Sequence, residues 1–476
     1  MKPGGGDTFA SIPGPGGAGD GLADIVAAGG LHNYQLTLHA KYGPVVRFRL
    51  PGAETAVSIA DPVLLEATAK VDKRPEKLFE FLAPLQESDN LQTLSAAEHT
   101  PWRRVLLSVL AGRRSHEAHF GQFVTLTCDL ADRWAASDEP VALQQHLSEL
   151  SLRMICDYAL GAGADSPEQA GRIVSAFEDV LTDQLARLYQ ADLPGTDAER
   201  GARAQQALVF LRTTVDDVLA AHQKVDVAHQ DVAGQGAAWP GSAHQGDARR
   251  TDTRRTDSSD LISALATAGQ PPARIRDTVL MTMLAAHHTT GVAISWTLYL
   301  LAQHPEVADR VAEEVADVLG NRPAPDYADL KRLTYLKMVL EESMRLYPPG
   351  PYGAREISED LRVGDYTIPA GTTIFYPIWA VHLNPEYWPQ PEVFRPERFS
   401  AAESAGRPRL AYIPFGLGPR SCEGAALAMV EAQLVLAVLV RRFRFELAPG
   451  HSVVPVERFV LWAADDIRMN LTSRVI

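Results

Sequence analysis

Cysteine is scarce in this sequence. The 476 residues include three, Cys128, Cys156 and Cys422, far apart and with no Cys-x-x-Cys. That excludes a disulfide framework and a zinc site built on cysteine, and it fits a reducing compartment. Positive charge is also short. Lys and Arg number 45 against 59 Asp and Glu, a formal net charge of −14, which argues against nucleic acid as a partner. No stretch reaches the roughly 18 uncharged apolar residues that a membrane span needs. The best run, Leu434–Val440, stops at Arg441-Arg442. The Gly/Pro-rich start (Pro3-Gly-Gly-Gly, Pro13-Gly-Pro-Gly-Gly) lacks the apolar centre of a signal peptide. The expectation is a cytoplasmic protein with no membrane and no nucleic-acid partner.

What is there is a large apolar fraction, 46%, arranged mostly with helical periodicity. Residues 1–20 read as a flexible leader, and 21–476 as one domain. Leu31–Tyr42 reads as a helix closed by Gly43. Val45–Leu50 and Thr55–Ile59 read as strands around a Pro51-Gly52 turn. From Asp61 to about Ala220 apolar residues recur at three- and four-residue spacing. Residues 224–258, almost without large apolar side chains, read as a disordered insertion. Helices resume at Asp260 and stop at Pro348-Pro349. Short strands surround Pro369-Ala-Gly371, and a last long helix runs from about Gly424 to Arg442. The pattern lacks regular βαβ alternation and predicts a mainly α fold with small β-sheets.

The sharpest signal is Phe415-Gly-Leu-Gly-Pro-Arg-Ser-Cys-Glu-Gly424, directly before that last helix. A soft thiolate at Cys422 suits iron and pushes electron density onto it, which favours O–O cleavage. Gly418 and Gly424 let the backbone turn sharply and approach a flat ring. The helix starting near Gly424 points its positive end at the sulfur. Arg420 suits a carboxylate of the bound group, and Phe415 covers the sulfur side. A lone Cys-x-Gly would be better explained as a buried structural cysteine; the complete pattern is not.

At this point the sequence resembles the cytochrome P450 superfamily of haem-thiolate monooxygenases, of soluble bacterial type, over nearly its whole length. The resemblance implies the cytochrome P450 fold, haem b as cofactor, and Cys422 as the metal ligand. Met283-Leu-Ala-Ala-His-His-Thr-Thr290 resembles the family's oxygen-binding helix, with Thr289 as its proton-delivery alcohol. By itself Thr289 would more often bond back to a helix carbonyl. The residue before the threonine is usually acidic and here is His288, which suits a proton relay as well as it suits a plain helix-face histidine. A zinc pair at His287 and His288 is disfavoured, because neighbouring helical residues diverge by about 100°. Glu98-His-Thr-Pro-Trp-Arg103 resembles the propionate-binding helix, with His99 and Arg103 on one face, and Arg355 matches a further propionate position. Glu342 and Arg345, with Arg398 as third partner, match a buried structural network. Cys128 and Cys156 read as small core residues, and His382 as a satisfied structural histidine.

The resemblance further implies insertion of one atom of O2 into a hydrophobic small molecule, by hydroxylation or epoxidation, in secondary metabolism. The sequence holds no cysteine cluster for an iron–sulfur module. Electrons are therefore expected from a separate ferredoxin or flavodoxin with its reductase, docking on Arg103, Arg104, Arg113 and Arg114. The expected substrate lining comes from Phe79, Phe81, Leu82, Leu284, Ala285, Thr289, residues 349–354 and Phe459. Three other readings stay open: a haem-thiolate peroxygenase or isomerase-type enzyme without a redox partner, a sterol 14-demethylase-like enzyme suggested by His287-His288-Thr289, and a non-catalytic haem sensor.

Overall fold

The computed structural model describes residues 9–16, 19–85, 88, 94–161, 167–189, 195–234 and 260–474. The helix Leu31–Tyr42 ends at Gly43, and the hairpin Val45–Leu50 with Ala53–Ile59 turns at Pro51-Gly52, where Gly52 has φ 83°. Ala53–Ile59 then pairs in parallel with Thr373–Tyr376, which pairs antiparallel with Gly353–Glu356. This four-stranded sheet places Arg355 opposite Ile374. The other sheets are small: Val141–Ala142, Arg468–Ser473 and Phe443–Leu447 together, and the hairpins Leu361–Ile368 and Pro455–Ala463.

The core is helical. The central helix Pro272–Gln303 carries no Asp, Glu, Lys or Arg after Asp277 and is buried on most faces. It lies against helix Leu143–Leu160 so closely that a Cβ on Gly291 would stand 2.5 Å from the Ser148 nitrogen. Only glycine permits that approach. The helix Ala425–Arg442 crosses the same region with a fully buried run from Leu434 to Leu439. That explains why the longest apolar run is a core helix and not a membrane span. Among the described residues no helix is long and apolar enough to cross a membrane.

Two expectations change. Of the expected leader, residues 1–8, 17 and 18 lie outside the described residues, and residues 12–14 do not stand free. Ile12 is buried against Val45 and Val57, and the Arg47 N–H donates to Pro13 O at 2.8 Å. A Cβ on Gly14 would meet Arg47 O at 2.1 Å, so this glycine serves close packing and not freedom. Part of the insertion expected at 224–258 is helical instead. Residues 224–234 continue the helix Asp197–Gly234, because no Gly or Pro interrupts them before Gly234. The remaining 235–258 fall outside the described residues.

Candidate functional site

A cavity of about 430 Å³ lies between the central helix, the cysteine helix and the four-stranded sheet. The loop before Cys422 closes through the Cys422 N–H donating to Phe415 O at 2.9 Å. Cys422 is exposed, yet its open surface faces this cavity. Burial, and then Glu423, push its thiol up to about 11. The N–H groups of Gly424 and Ala425, at the start of the helix, and the charge of Arg103 act the other way. The start of the helix therefore favours the thiolate, as the sequence argument expected, but burial outweighs it; a metal cation bound at the sulfur would favour the thiolate further.

The loop residues divide. Phe415, Arg420 and Gly424 line the cavity with Cys422. Gly418 does not. Its φ is 71°, and a Cβ there would meet Ala69 O at 2.5 Å, so the close approach it allows is to backbone and not to a ring. Gly416, with φ 73°, borders the cavity, as Gly424 does.

One face of the central helix forms another wall. Met281, Ala285, Ala286, Thr289 and Thr290 recur at helical spacing and line it. The Thr289 hydroxyl donates to Ala285 O at 2.8 Å. His288 is not among the lining residues; its ring meets Trp462 edge-on at 5.1 Å. Burial holds it down at about 4, a neutral ring. Instead of diverging, the rings of His287 and His288 stack at 3.8 Å. Face-to-face rings do not aim two lone pairs at one ion, and no metal-binding group of three ligands occurs among the described residues. Sequence reading missed Glu431, 2% exposed on the cysteine helix and lining the cavity. It hydrogen-bonds Thr290, and burial pushes its carboxyl up to about 8.

A basic cluster stands at the sheet end. Arg103 bonds Glu423 and, at 3.2 Å, Ser421 Oγ. Arg420 bonds Asp72 and, at 2.6 Å, Leu94 O. Both arginines thus have partners within the chain, and neither His99 nor Arg103 lines the cavity. Four buried donors are left without a hydrogen-bond partner: Arg74 Nε, the His99 ring, Trp102 Nε1 and Arg355 Nε. Burial, and then Arg420, hold His99 down at about 4. Burial, and then Arg355, lower Arg74 to about 10. Orphaned buried donors are costly, and this set matches a group that brings two carboxylates, as haem does. Arg74 was not anticipated; an arginine before Pro75 carries no motif. Of the docking arginines, Arg104, Arg113 and Arg114 are exposed, and Arg113 pairs with Glu117.

Behind the loop, Arg345 grips both oxygens of Glu342 at 2.7 and 2.8 Å, and Arg398 reaches Glu342 at 3.2 Å. Arg345 also donates to the carbonyls of His382 and Pro391. His382 is held neutral, its pKa lowered to about 3 by burial first, and its Nε2 accepts the Ile413 N–H at 2.8 Å. The network therefore reaches the cysteine loop two residues before Phe415. Among the expected substrate-lining residues, Phe79, Ala285, Thr289, Phe459 and all of 349–354 except Pro351 border the cavity, and Leu284 is not in its lining. The side chains of Phe81 and Leu82 lie outside what the structure describes.

Comparison with known proteins agrees with this geometry. The family model for cytochrome P450 matches residues 22–470. Cytochrome P450 4V2 of Mus musculus is 43% identical over 36% of this chain, a match spanning 33% of that protein. Two relatives match at fuller length: cytochrome P450 4c21 of Blattella germanica, 28% identical over 85% of this chain and 81% of that protein, and thromboxane-A synthase of Mus musculus, 27% identical over 94% and 89%. All three are animal proteins, whereas the sequence reading looked to the bacterial type. The crystal structure of a cytochrome P450DA heme domain superposes with a TM-score of 0.80 at 20% identity, covering 98% of each chain; this is likeness of fold. The thiol facing a cavity, the orphaned donors beside it and the match over residues 22–470 together place this chain in the cytochrome P450 family of oxidoreductases, with haem b as its cofactor.

Proposed function

We propose that this P450 is a monooxygenase that places one atom of O2 into a medium-sized hydrophobic molecule, by hydroxylation or epoxidation. One observation carries the reading: Cys422, on the cysteine loop, and Thr289, on the central helix, line one cavity. Cys422 would hold haem b, the unpartnered donors of Arg74, His99, Trp102 and Arg355 would receive its carboxylates, and the haem would supply the reductive activation of dioxygen.

The chain's own residues do the rest. Phe79, Leu106, Met281, Ile378 and Phe459 give the cavity apolar walls, which bind an apolar substrate and exclude water. Thr289 holds a proton on Oγ1, shared with Ala285 O, at the cavity where it would be available to a reacting oxygen. Thr290, on the central helix, and Glu431, on the cysteine helix, hold a second proton-bearing pair at the cavity. These two hydroxyls support a monooxygenase over a peroxygenase, isomerase-type enzyme or sensor, because only dioxygen reduction consumes protons at the cavity. His288, turned to Trp462, takes no direct part, and the His-His-Thr run alone does not support a sterol substrate. Electrons enter from a separate ferredoxin or flavodoxin with its reductase at the exposed Arg104, Arg113 and Arg114.

The test is product formed per electron consumed, with a ferredoxin and its reductase as the supply. Thr289→Ala is expected to lower that ratio by roughly tenfold or more and to release peroxide instead. An unchanged ratio, or equal wild-type turnover with peroxide alone, would contradict the reading.

A further inference from the structure

The late hairpin Pro455–Ala463 carries Phe459 at its tip. Phe459 lines the cavity with φ 66°, a conformation costly for a bulky side chain. Such strain persists only where neighbours over-determine it. The second strand is held from the core side: Leu461 N–H donates to Pro349 O at 2.9 Å, and Trp296 Nε1 donates to Leu461 O at 2.8 Å.

The first strand is held by a cluster that the chemistry above does not use. Glu457 Oε2 lies 3.0 Å from His32 Nδ1 and accepts the His32 backbone N–H at 3.3 Å. Its other oxygen accepts the Tyr352 hydroxyl. The side chains of His32 and Glu457 are 0% and 5% exposed. The His32 ring stacks on Trp379 at 5.3 Å, and Trp379 is itself tied to Leu346 O. Gly30, with φ 127°, makes room, since a Cβ there would fall 2.8 Å from the His32 ring. One buried carboxylate thus joins three separate segments: the start of the helix Leu31–Tyr42, the cavity wall at Tyr352, and the hairpin two residues before Phe459.

We infer that Glu457 is a positioning residue for substrate selection, latching the hairpin to His32 and Tyr352 so that the Phe459 ring stays fixed in the cavity. The inference rests on the proposed reading of this cavity as haem and substrate site. Without the carboxylate, the donors of His32 and Tyr352 lose their acceptor. The strained tip then relaxes and the ring leaves its place. Discrimination between small and large occupants falls, while the cysteine loop is untouched.

The experiment uses the purified holoenzyme and needs no turnover. Imidazole and 4-phenylimidazole are titrated against the Soret band of wild type, Glu457→Ala and His32→Ala. The ratio of the two dissociation constants is expected to shift by roughly tenfold in Glu457→Ala, and in the same direction but less in His32→Ala. His32 lies outside the cavity lining, so its variant reports the latch even if Glu457→Ala fails to fold. Ratios within twofold of wild type in the folded variants would overturn the inference. Failure of wild type to bind imidazole at all would instead overturn the haem reading beneath it.

Discussion

Glu342→Ala is expected to lower the stability of this protein by about 3–5 kcal/mol. Its carboxylate accepts from Arg345, from Arg398 and from the Arg395 N–H at 2.9 Å, and all three side chains of the network are almost fully buried. Removing it strands two guanidinium groups where water does not reach, and neither sheds its charge as a lysine would. The effect reaches the cysteine loop, because Arg345 holds the His382 carbonyl while the His382 ring holds Ile413. Chemical denaturation followed by both the Soret band and far-ultraviolet circular dichroism measures it. The exposed Arg113–Glu117 pair is the control: Arg113→Ala is expected to cost less than about 0.5 kcal/mol. A similarly small loss for Glu342→Ala would contradict the assigned network.

The second large effect is a pH dependence at Glu431. Its carboxyl in the folded protein is pushed up to about 8, from an ordinary value of 4.5, by burial. Below 4.5 both folded and unfolded chains keep this proton, and the group adds no pH dependence. Between 4.5 and about 8 the unfolded chain releases the proton and the folded chain keeps it. Stability therefore falls with rising pH by about 1.4 kcal/mol per unit. Above that window both are ionised and the loss is constant. No charged side chain stands against Glu431 among the described residues; Thr290 bonds it, and Tyr158, packed against the His119 ring at 4.7 Å, is the other polar group acting with it. Glu431→Gln keeps the shape and abolishes the titration. The variant is expected to match wild type near pH 4.5 and to exceed it by a few kcal/mol at pH 8. A difference that does not change with pH would show that the carboxyl titrates normally.

Much of this was legible in the chain because it is local. Gly43, Pro51-Gly52, Asp260 and Pro348-Pro349 bound elements through backbone chemistry that acts within a few residues. Asp260, for instance, caps its helix through the Ser263 N–H at 2.8 Å. The cysteine loop is local in the same way. What stayed hidden depends on residues far apart in sequence. Arg420 finds Asp72 and Arg103 finds Glu423. Glu431 shows no pattern of its own and is defined by its hydrogen bond to Thr290 on the central helix. His32, Tyr352 and Glu457 meet across more than four hundred residues of chain. The His287–His288 stack escaped a purely angular argument because side-chain torsions bring two rings together that leave the helix in different directions. Gly14 looked like a flexible-leader glycine, yet its missing Cβ is what lets residues 12–14 lie on Arg47.

The central claim, that Cys422 binds haem iron as a thiolate, is tested most directly by the absorption spectrum of the dithionite-reduced protein under carbon monoxide, for wild type and Cys422→Ala. The account predicts a strongly red-shifted Soret band in wild type and its loss in the variant. The same band in Cys422→Ala, or a wild-type band typical of histidine-ligated haem, would contradict it.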